Sequence, residues 1–261
     1  MPTIRADMSV TPKTSRVFIL VKALPRPSNK HSETVCCAGI DAYGQFRRLY
    51  PVRFRQLKEG SSFKRWDEVE FGYRRPTTDT RSESCHVFED TIRLTGSVLK
   101  RSERAKVLHP LVVGSANVLA DTKRSLGIVQ PRSTKFFWRK KSSSQIEAER
   151  AAYSAAALQT SMFDAELDAI EPTPYTFQFK FSDDGGIHHC SCADWEPHAT
   201  FFRQRQATSE AEALQFLSDK FNDEYPKKGM LFALGNMQKR PKIWQLLGVL
   251  RVDPLTQGSL F

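Results

Sequence analysis

Residues 175–182 read YTFQFKFS, and every second one of them is aromatic. The aromatic positions are Tyr175, Phe177, Phe179 and Phe181. Successive side chains of a β-strand point to opposite faces, so this alternation predicts a strand with one face in a hydrophobic core. An aromatic strand face can instead stack RNA bases, but the glycines and the basic first residue of that recognition motif are missing here. We therefore interpret the stripe as core.

The neighbouring segments predict that this strand belongs to an α+β half. A hairpin turn is predicted at residues 183–186, which read DDGG. Helices are predicted after the capping-box patterns Ser144-x-x-Glu147 and Ser209-x-x-Glu212, the first running to about residue 159. Further strands are predicted at 187–193, 230–234 and 243–249.

The N-terminal half is predicted to be rich in short strands. They lie at residues 17–24, 33–40, 45–50, 66–73 and 86–98. From Glu103 to Leu126 a helical pattern is broken at Pro110 and Gly114. Short strands with no strong helix favour a small β-barrel or an open sheet. The predicted fold class is α+β, with a β-rich basic N-terminal half and an α+β C-terminal half.

Three segments are predicted along the chain. Residues 1–16 are polar and lack the apolar core of a signal peptide, so they are predicted to form a flexible tail. Residues 17–142 are predicted as a basic β-rich domain or subdomain, and residues 143–261 as a mildly acidic α+β one. The boundary is placed at residues 139–144, RKKSSS, where a charged run gives way to small polar residues.

Charge is divided unequally between the two halves. Residues 1–142 hold 28 lysines and arginines against 13 acids, a surplus of 15 positive charges. Residues 143–261 hold 11 against 16, and the whole chain carries a net charge of +10. A surplus of this size on one side favours a polyanionic partner, most often nucleic acid.

Composition limits the class of protein. Hydrophobic residues make up 40% of the chain and include 18 Phe, which favours a folded core over disorder. The best apolar run, residues 17–21, is interrupted by Lys22 and is much shorter than the roughly 18 residues of a membrane span. No membrane partner is therefore expected. The five cysteines suit no disulfide framework, so we expect reduced thiols and a cytoplasmic location.

Basic residues of the N-terminal half stand beside aromatic ones. Cations hold phosphates while aromatic faces stack bases, so this pattern predicts an interface for single-stranded, distorted or modified nucleic acid. The predicted contacts are Arg47, Arg48, Arg53, Arg55, Lys64, Arg65, Arg74, Arg75, Arg132, Lys135, Trp138, Arg139, Lys140 and Lys141. The alternative is a solvated charged face whose aromatic residues turn into the core.

The segment 187–196, IHHCSCADWE, concentrates reactive side chains. Asp194 and Glu196 could hold Mg²⁺ as the catalytic pair of a metal-dependent nuclease. They equally suit the start of a helix, with Asp194 as N-cap and Glu196 as a first-turn acid that complements the helix dipole. We favour the capping interpretation.

Cys190 and Cys192 are weak candidates for zinc ligands. Strand neighbours two residues apart are separated by roughly 6.6 Å, and the spacing is not that of paired C-x2-C motifs. Small buried thiols pack like alanine or valine, so no metal site is predicted and zinc is not expected. No other cofactor is expected, apart from Mg²⁺ in the nuclease alternative.

Five stretches resemble a family of uncharacterised prokaryotic proteins. They are Pro25-x-Pro27-Ser28-x-Lys30 followed by Glu33-Thr34-Val35-Cys36, Arg48-Leu49-Tyr50-Pro51, Ser125-Leu126-Gly127-Ile128-Val129-x-Pro131, Asp194-Trp195-Glu196, and Leu234-Gly235-Asn236. The resemblance brings no established activity and assigns no catalytic residue. It implies that the two halves form one architectural unit.

Three functions are compatible with the sequence. Binding of nucleic acid through the basic and aromatic surface is preferred. The second is a metal-dependent nuclease that uses Asp194 and Glu196. The third is a non-enzymatic subunit of a larger nucleoprotein assembly, in which the basic face meets an acidic protein.

Overall fold

The computed structural model describes residues 12–28, 32–157 and 170–255, and within them the predicted α+β class is confirmed. The strands are β1 Lys13–Lys22, β2 Arg26–Ser28, β3 Ser32–Ile40, β4 Phe46–Val52, β5 Asp67–Arg74, β6 Ser84–Val98, β7 Val112–Val113, β8 Leu126–Val129, β9 Arg132–Lys140, β10 Tyr175–Asp183, β11 Gly186–Ser191, β12 Met230–Met237 and β13 Arg240–Arg251. The helices are α1 Arg101–Leu108, α2 Ala116–Asp121, α3 Ser143–Ala157, α4 Trp195–Ala207, α5 Glu210–Asp219 and α6 Tyr225–Lys228. No helix among the described residues is long and apolar enough to cross a lipid bilayer.

Five strands of the N-terminal half close into a barrel. Strand β1 pairs with both β3 and β5, β3 continues to β4, and β6 joins β4 to β5. The order is therefore β1-β3-β4-β6-β5-β1, antiparallel except for the parallel β4–β6 pair. Of the two predicted forms, a small barrel or an open sheet, the structure has the barrel. Its closure removes the free strand edges that an open sheet would expose.

Strand β1 is the first strand of the barrel and closes it by pairing with both β3 and β5. This strand begins at Lys13, inside the segment that the sequence predicts as a tail, while residues 1–11 lie outside the described part of the chain. Gly39 of β3 faces β1 so closely that a Cβ atom there would collide with the carbonyl oxygen of Phe18. Only glycine permits this approach of two backbones.

The strands from β7 onward form two further sheets, ordered β11-β10-β9 and β13-β12-β8-β7. The aromatic stripe of β10 is buried, and the rings of Phe179 and Phe181 pack against Phe232 of β12. The core interpretation of the stripe is confirmed, and the predicted turn joins β10 to β11. The capping box of α3 differs from the prediction. It is formed by Ser142 and Gln145 and not by Ser144 and Glu147.

Packing and strand pairing join the two halves. Strands β8 and β9 lie in the basic half of the sequence but pair with β12 and β10 of the acidic half. One hydrophobic cluster combines Leu20 and Ile40 of the barrel with Leu108 of α1, Ile128 of β8 and Leu231 of β12. The barrel therefore shares a core with the C-terminal half.

A buried polar network lies at the same junction. Nε of Arg48 donates to Oγ of Ser125 at 3.2 Å, and its Nη2 donates to the Ser125 carbonyl. The Glu83 carboxylate lies 3.8 Å from Arg48 and accepts the Ser125 backbone N–H at 3.1 Å. The Asn236 backbone N–H completes the network by donating to the Ser125 carbonyl. Arg48, Ser125 and Asn236 belong to three of the five stretches that carry the family resemblance. Their contacts show that these stretches contribute to the structure of the junction.

We predict that Phe179→Ala strongly destabilises the protein. The Phe179 ring is fully buried, with its centre 5.1, 5.6 and 5.2 Å from the rings of Phe136, Phe221 and Phe232. Truncation leaves a cavity, so urea denaturation should show a loss of about 3–5 kcal/mol in the free energy of unfolding. Lys180→Ala, on the exposed face of the same strand, should change it by less than about 0.5 kcal/mol. Equal losses for the two variants would contradict the packing.

Candidate functional site

A pocket of about 530 Å³ lies where the barrel meets the C-terminal half. Its size falls in the range of roughly 300–1,000 Å³ that is usual for small-ligand sites. The cations that line it are Lys22, Lys64, Arg65, Arg101, Arg104, Arg203, Lys220 and Arg251. Against these eight stand two acids, Asp194 and Glu196. A formal balance of +6 in one concave volume focuses a strong positive potential.

The barrel supplies one part of the pocket. Lys22 is the last residue of β1, and Lys64 to Trp66 come directly before β5. Arg101 and Arg104 follow on α1, three residues apart, which places both side chains on one face of that helix. The ends of the barrel strands thus converge on the pocket.

The C-terminal half supplies the other part. Helix α4 presents Glu196, Thr200 and Arg203 at spacings of four and three residues, which is one helix face. Lys220 opens the π-helical turn that follows α5, and Arg251 ends β13. Neither half encloses the pocket without the other.

Asp194 holds these segments together. Its fully buried carboxylate lies 2.5 Å from Nη2 of Arg65 and accepts the backbone N–H groups of Glu196 at 3.1 Å and of Val249 at 2.8 Å. The bond from Glu196 caps α4, as the sequence predicts. Arg65 also donates to the Val249 carbonyl at 2.9 Å. One ion pair therefore fixes the segment before β5 against α4 and β13.

This geometry argues against Asp194 as a metal ligand. Both carboxylate oxygens already accept N–H donors, and the adjacent Arg65 charge would repel a metal cation. Among the described residues, no group of three or more His, Cys, Asp or Glu side chains could hold a metal ion. Burial raises the pKa of the Cys190 thiol to about 11 and also raises the pKa of Cys192, so both stay protonated. The nuclease alternative receives no support from the site.

Five of the pocket cations retain donor groups without a partner in the described part of the chain. The ammonium groups of Lys22, Lys64 and Lys220 make no hydrogen bond there. Arg104 uses only Nε, which donates to the Leu99 carbonyl, and Arg203 uses only Nη2, which donates to Thr200. These five side chains, Lys22, Lys64, Arg104, Arg203 and Lys220, are called the unpaired cations below.

Burial makes part of this positive charge unfavourable in the free protein. It lowers the pKa of Lys22, and the nearby Glu196 carboxylate compensates only in part. Burial likewise lowers the pKa of Lys220 against the opposing effect of Glu224. A lowered lysine pKa means that the surroundings disfavour the ammonium form. A bound anion would relieve that penalty.

The aromatic rings of the pocket are already in contact with cations. The Arg104 guanidinium lies 3.9 Å from the centre of the Trp66 ring, and Nζ of Lys220 lies 5.5 Å from that of Tyr225. Trp66 has a φ of 81°, a left-handed conformation that costs a bulky residue roughly 1–3 kcal/mol. Backbone hydrogen bonds to Ile19 and Leu99 hold it there. This strained backbone conformation places the Trp66 ring against the Arg104 guanidinium.

The pocket brings together only two of the fourteen predicted nucleic-acid contacts, Lys64 and Arg65, all fourteen being described residues. Arg48 is 4% exposed and belongs to the junction network, which argues against its predicted contact with nucleic acid. Several others are used inside the barrel half: Arg47 pairs with Asp41 at 3.1 Å, Arg53 with Glu89 at 2.8 Å, and Arg75 donates to the Ser82 carbonyl at 2.7 Å. Arg55 and Arg74 are half-buried.

Strand β9 and Lys141 directly after it carry the remaining predicted contacts. Lys135, Arg139 and Lys140 are exposed, and we call these three residues the β9 strip. Arg132 pairs with Asp184, and Lys141 pairs with Glu149 at 2.6 Å. Trp138 is half-buried and packs against the C-terminal core.

Sequence reasoning missed six of the eight pocket cations. These are Lys22, Arg101, Arg104, Arg203, Lys220 and Arg251. Two signals were available: Lys22 interrupts an apolar strand, and Arg101 and Arg104 share a helix face. Arg203 and Lys220 lie in the acidic half, so the division of charge along the sequence points away from them.

We predict that Asp194→Asn lowers the free energy of unfolding by about 3–5 kcal/mol, because it leaves the buried Arg65 charge without a counter-charge. Asparagine caps a helix about as well as aspartate, so loss of the cap alone would cost little. Ser209→Asn, at the exposed cap of α5, is the matched control and should change stability by only a few tenths of a kcal/mol. If urea denaturation gives the same small change for both variants, Asp194 acts only as a cap.

Two family models match the chain, and both matched regions contribute residues to the pocket. A domain of unknown function (DUF8758) matches residues 13–110, and a second domain of unknown function (DUF8757) matches residues 114–261. The first contains Lys22, Lys64 and Arg104, and the second contains Glu196 and Lys220. No curated protein matches the chain. Because the second model covers more than half of its length, the chain belongs to the DUF8757 family.

Proposed function

We propose that this protein binds nucleic acid and that the basic pocket holds part of the sugar–phosphate backbone. The observation that carries the proposal is the convergence of eight cations on one concave volume that contains two acids. One of those acids, Asp194, is already paired with Arg65. Contacts from lysine and arginine to phosphates supply much of the affinity of nucleic-acid-binding proteins.

The barrel supports the proposal by analogy of fold. Its strand order, β1-β3-β4-β6-β5-β1 with one parallel pair, is that of the OB-fold, a five-stranded Greek-key barrel. Barrels of this kind recur among proteins that bind oligonucleotides. A fold does not by itself determine a function, so the pocket and not the barrel carries the argument.

The preferred ligand is single-stranded or distorted nucleic acid in the cytoplasm of a prokaryote. Convergent cations in a pocket suit a flexible strand better than the regular surface of a duplex. Lys135 and Arg139 of the β9 strip lie four residues apart on one face of the strand and offer an additional exposed positive surface for a longer strand of nucleic acid. All five cysteines are free thiols, and four of them are buried, which agrees with a reducing compartment.

We predict that removing two unpaired cations flattens the salt dependence of binding. For Lys64→Gln/Arg203→Gln, the slope of log affinity against log salt for single-stranded DNA should fall by about 0.7 per lost phosphate contact. Both side chains are exposed, so the variant should fold normally. Fluorescence anisotropy titrations at several salt concentrations measure the slope.

The matched control is Arg139→Gln/Lys140→Gln, which removes the same charge from the β9 strip. We expect it to change the slope less than the pocket variant does. The reverse order would place the main interface on β9. No binding by the parent protein at low salt would refute the proposed function and favour a subunit whose basic face meets an acidic protein.

We predict that Glu196→Gln strengthens nucleic-acid binding by about threefold or more at low salt. Glu196 acts on Lys22, Arg65 and Lys220, and its carboxylate hydrogen-bonds to none of the described residues, so its loss should raise the positive potential. Glu147→Gln, in the exposed part of α3, is the control and should leave affinity unchanged. A nuclease that used Glu196 would instead lose Mg²⁺-dependent cleavage in the Glu196 variant.

A further inference from the structure

We infer that the group bound in the pocket is a terminal phosphate monoester of the nucleic acid, not an internal stretch of its backbone. This inference rests on the proposed function and names the chemical group that the pocket takes. It follows from three observations on the pocket: how its charges are distributed, which donors are unpaired, and what its aromatic rings contact.

The charges converge on one volume instead of following a line. The unpaired cations come from β1, the segment before β5, α1, α4 and the π-helical turn, yet all five line a single pocket. Opposite them stands one carboxylate without a hydrogen bond in the described residues, that of Glu196. An internal phosphodiester brings one negative charge, whereas a phosphate monoester brings about 1.5 to 2 at pH 7. The concentrated charge is better matched by the monoester.

The unpaired donors suit the oxygens of a monoester. Arg104 and Arg203 each retain guanidinium N–H groups, which can bind two phosphate oxygens at once. Lys22, Lys64 and Lys220 act as point charges beside them. A terminal monoester offers three non-bridging oxygens to such a set, whereas an internal phosphodiester offers fewer.

The aromatic rings do not provide a platform for bases. One face of Trp66 is covered by Arg104, and Lys220 lies over Tyr225. Phe221 is 3% exposed and packs in the core. Single-stranded bases are usually held by stacking on open aromatic faces. The pocket therefore contacts the phosphate and not the base. Binding of the terminal phosphate should therefore be independent of the terminal base.

The test compares one single-stranded DNA sequence with a 5′-phosphate, a 3′-phosphate or hydroxyl groups at both ends, each carrying the same internal dye. Fluorescence anisotropy at fixed salt gives the dissociation constants. We expect one phosphorylated form to bind about tenfold tighter than the hydroxyl form, the effect of one or two added charge-assisted hydrogen bonds. Which form binds tighter identifies the end that enters the pocket.

Two double variants test whether the preference for phosphorylated DNA arises in the pocket. Lys64→Gln/Arg203→Gln should bring the ratio of the two dissociation constants close to one, whereas Arg139→Gln/Lys140→Gln should leave it unchanged. Equal binding of all three DNA forms by the parent would overturn the inference while leaving the proposed function intact. A preference that survives in the pocket variant would overturn it as well, and no binding of any form would overturn both proposals.

Discussion

Arg65 and Asp194 meet at 2.5 Å in the protein interior although 129 residues separate them along the chain. Because Asp194 also accepts backbone donors from α4 and β13, its position fixes three segments around the pocket. A buried charge that loses its partner is costly, so the walls cannot separate without a large loss of stability. The pair also cancels its own charge, and the positive potential of the pocket therefore comes from the other cations.

Those other cations fall into two groups. Arg101 and Arg251 both pair with Asp253, which holds the rim of the pocket in place. The unpaired cations form no ion pair with any described residue, and burial lowers the pKa of three of them, Lys22, Arg104 and Lys220. Other cations of the barrel are paired with acids, Arg47 with Asp41 and Arg53 with Glu89. Five cations without an ion pair among the described residues, beside a strained tryptophan, form an unfavourable arrangement of the kind found at binding sites.

The features that the sequence predicts well depend on residues close together in the chain. The buried face of β10, the DDGG turn and the cap of α4 by Asp194 each follow from a pattern of a few residues. Even at this range two patterns can compete, since the cap of α3 uses Ser142 and Gln145 instead of the equally spaced pair two residues later. Local rules therefore define the elements and place their ends within a few residues.

The pocket could not be predicted in this way, because it depends on contacts between distant segments. Summing charge over each half concealed Arg203 and Lys220, which belong to the acidic half but face the same volume as Lys22 and Arg104. The same sum overstated the basic surface of the barrel, where Arg48 is buried and Arg47 is paired. What matters for binding is the charge left unpaired after folding, and that quantity is set by pairings such as Arg65–Asp194.

The two regions matched by separate family models consequently depend on one another. The barrel region contributes Lys22, Lys64 and Arg104, and the C-terminal region contributes Arg203 and Lys220 together with Glu196. Each set alone would lie on an open surface, where solvent and salt screen isolated charges. Held together by a shared core and by the Arg65–Asp194 pair, the two sets instead line one pocket of about 530 Å³. The junction, and not either region by itself, is therefore the part of this protein most suited to hold an anion.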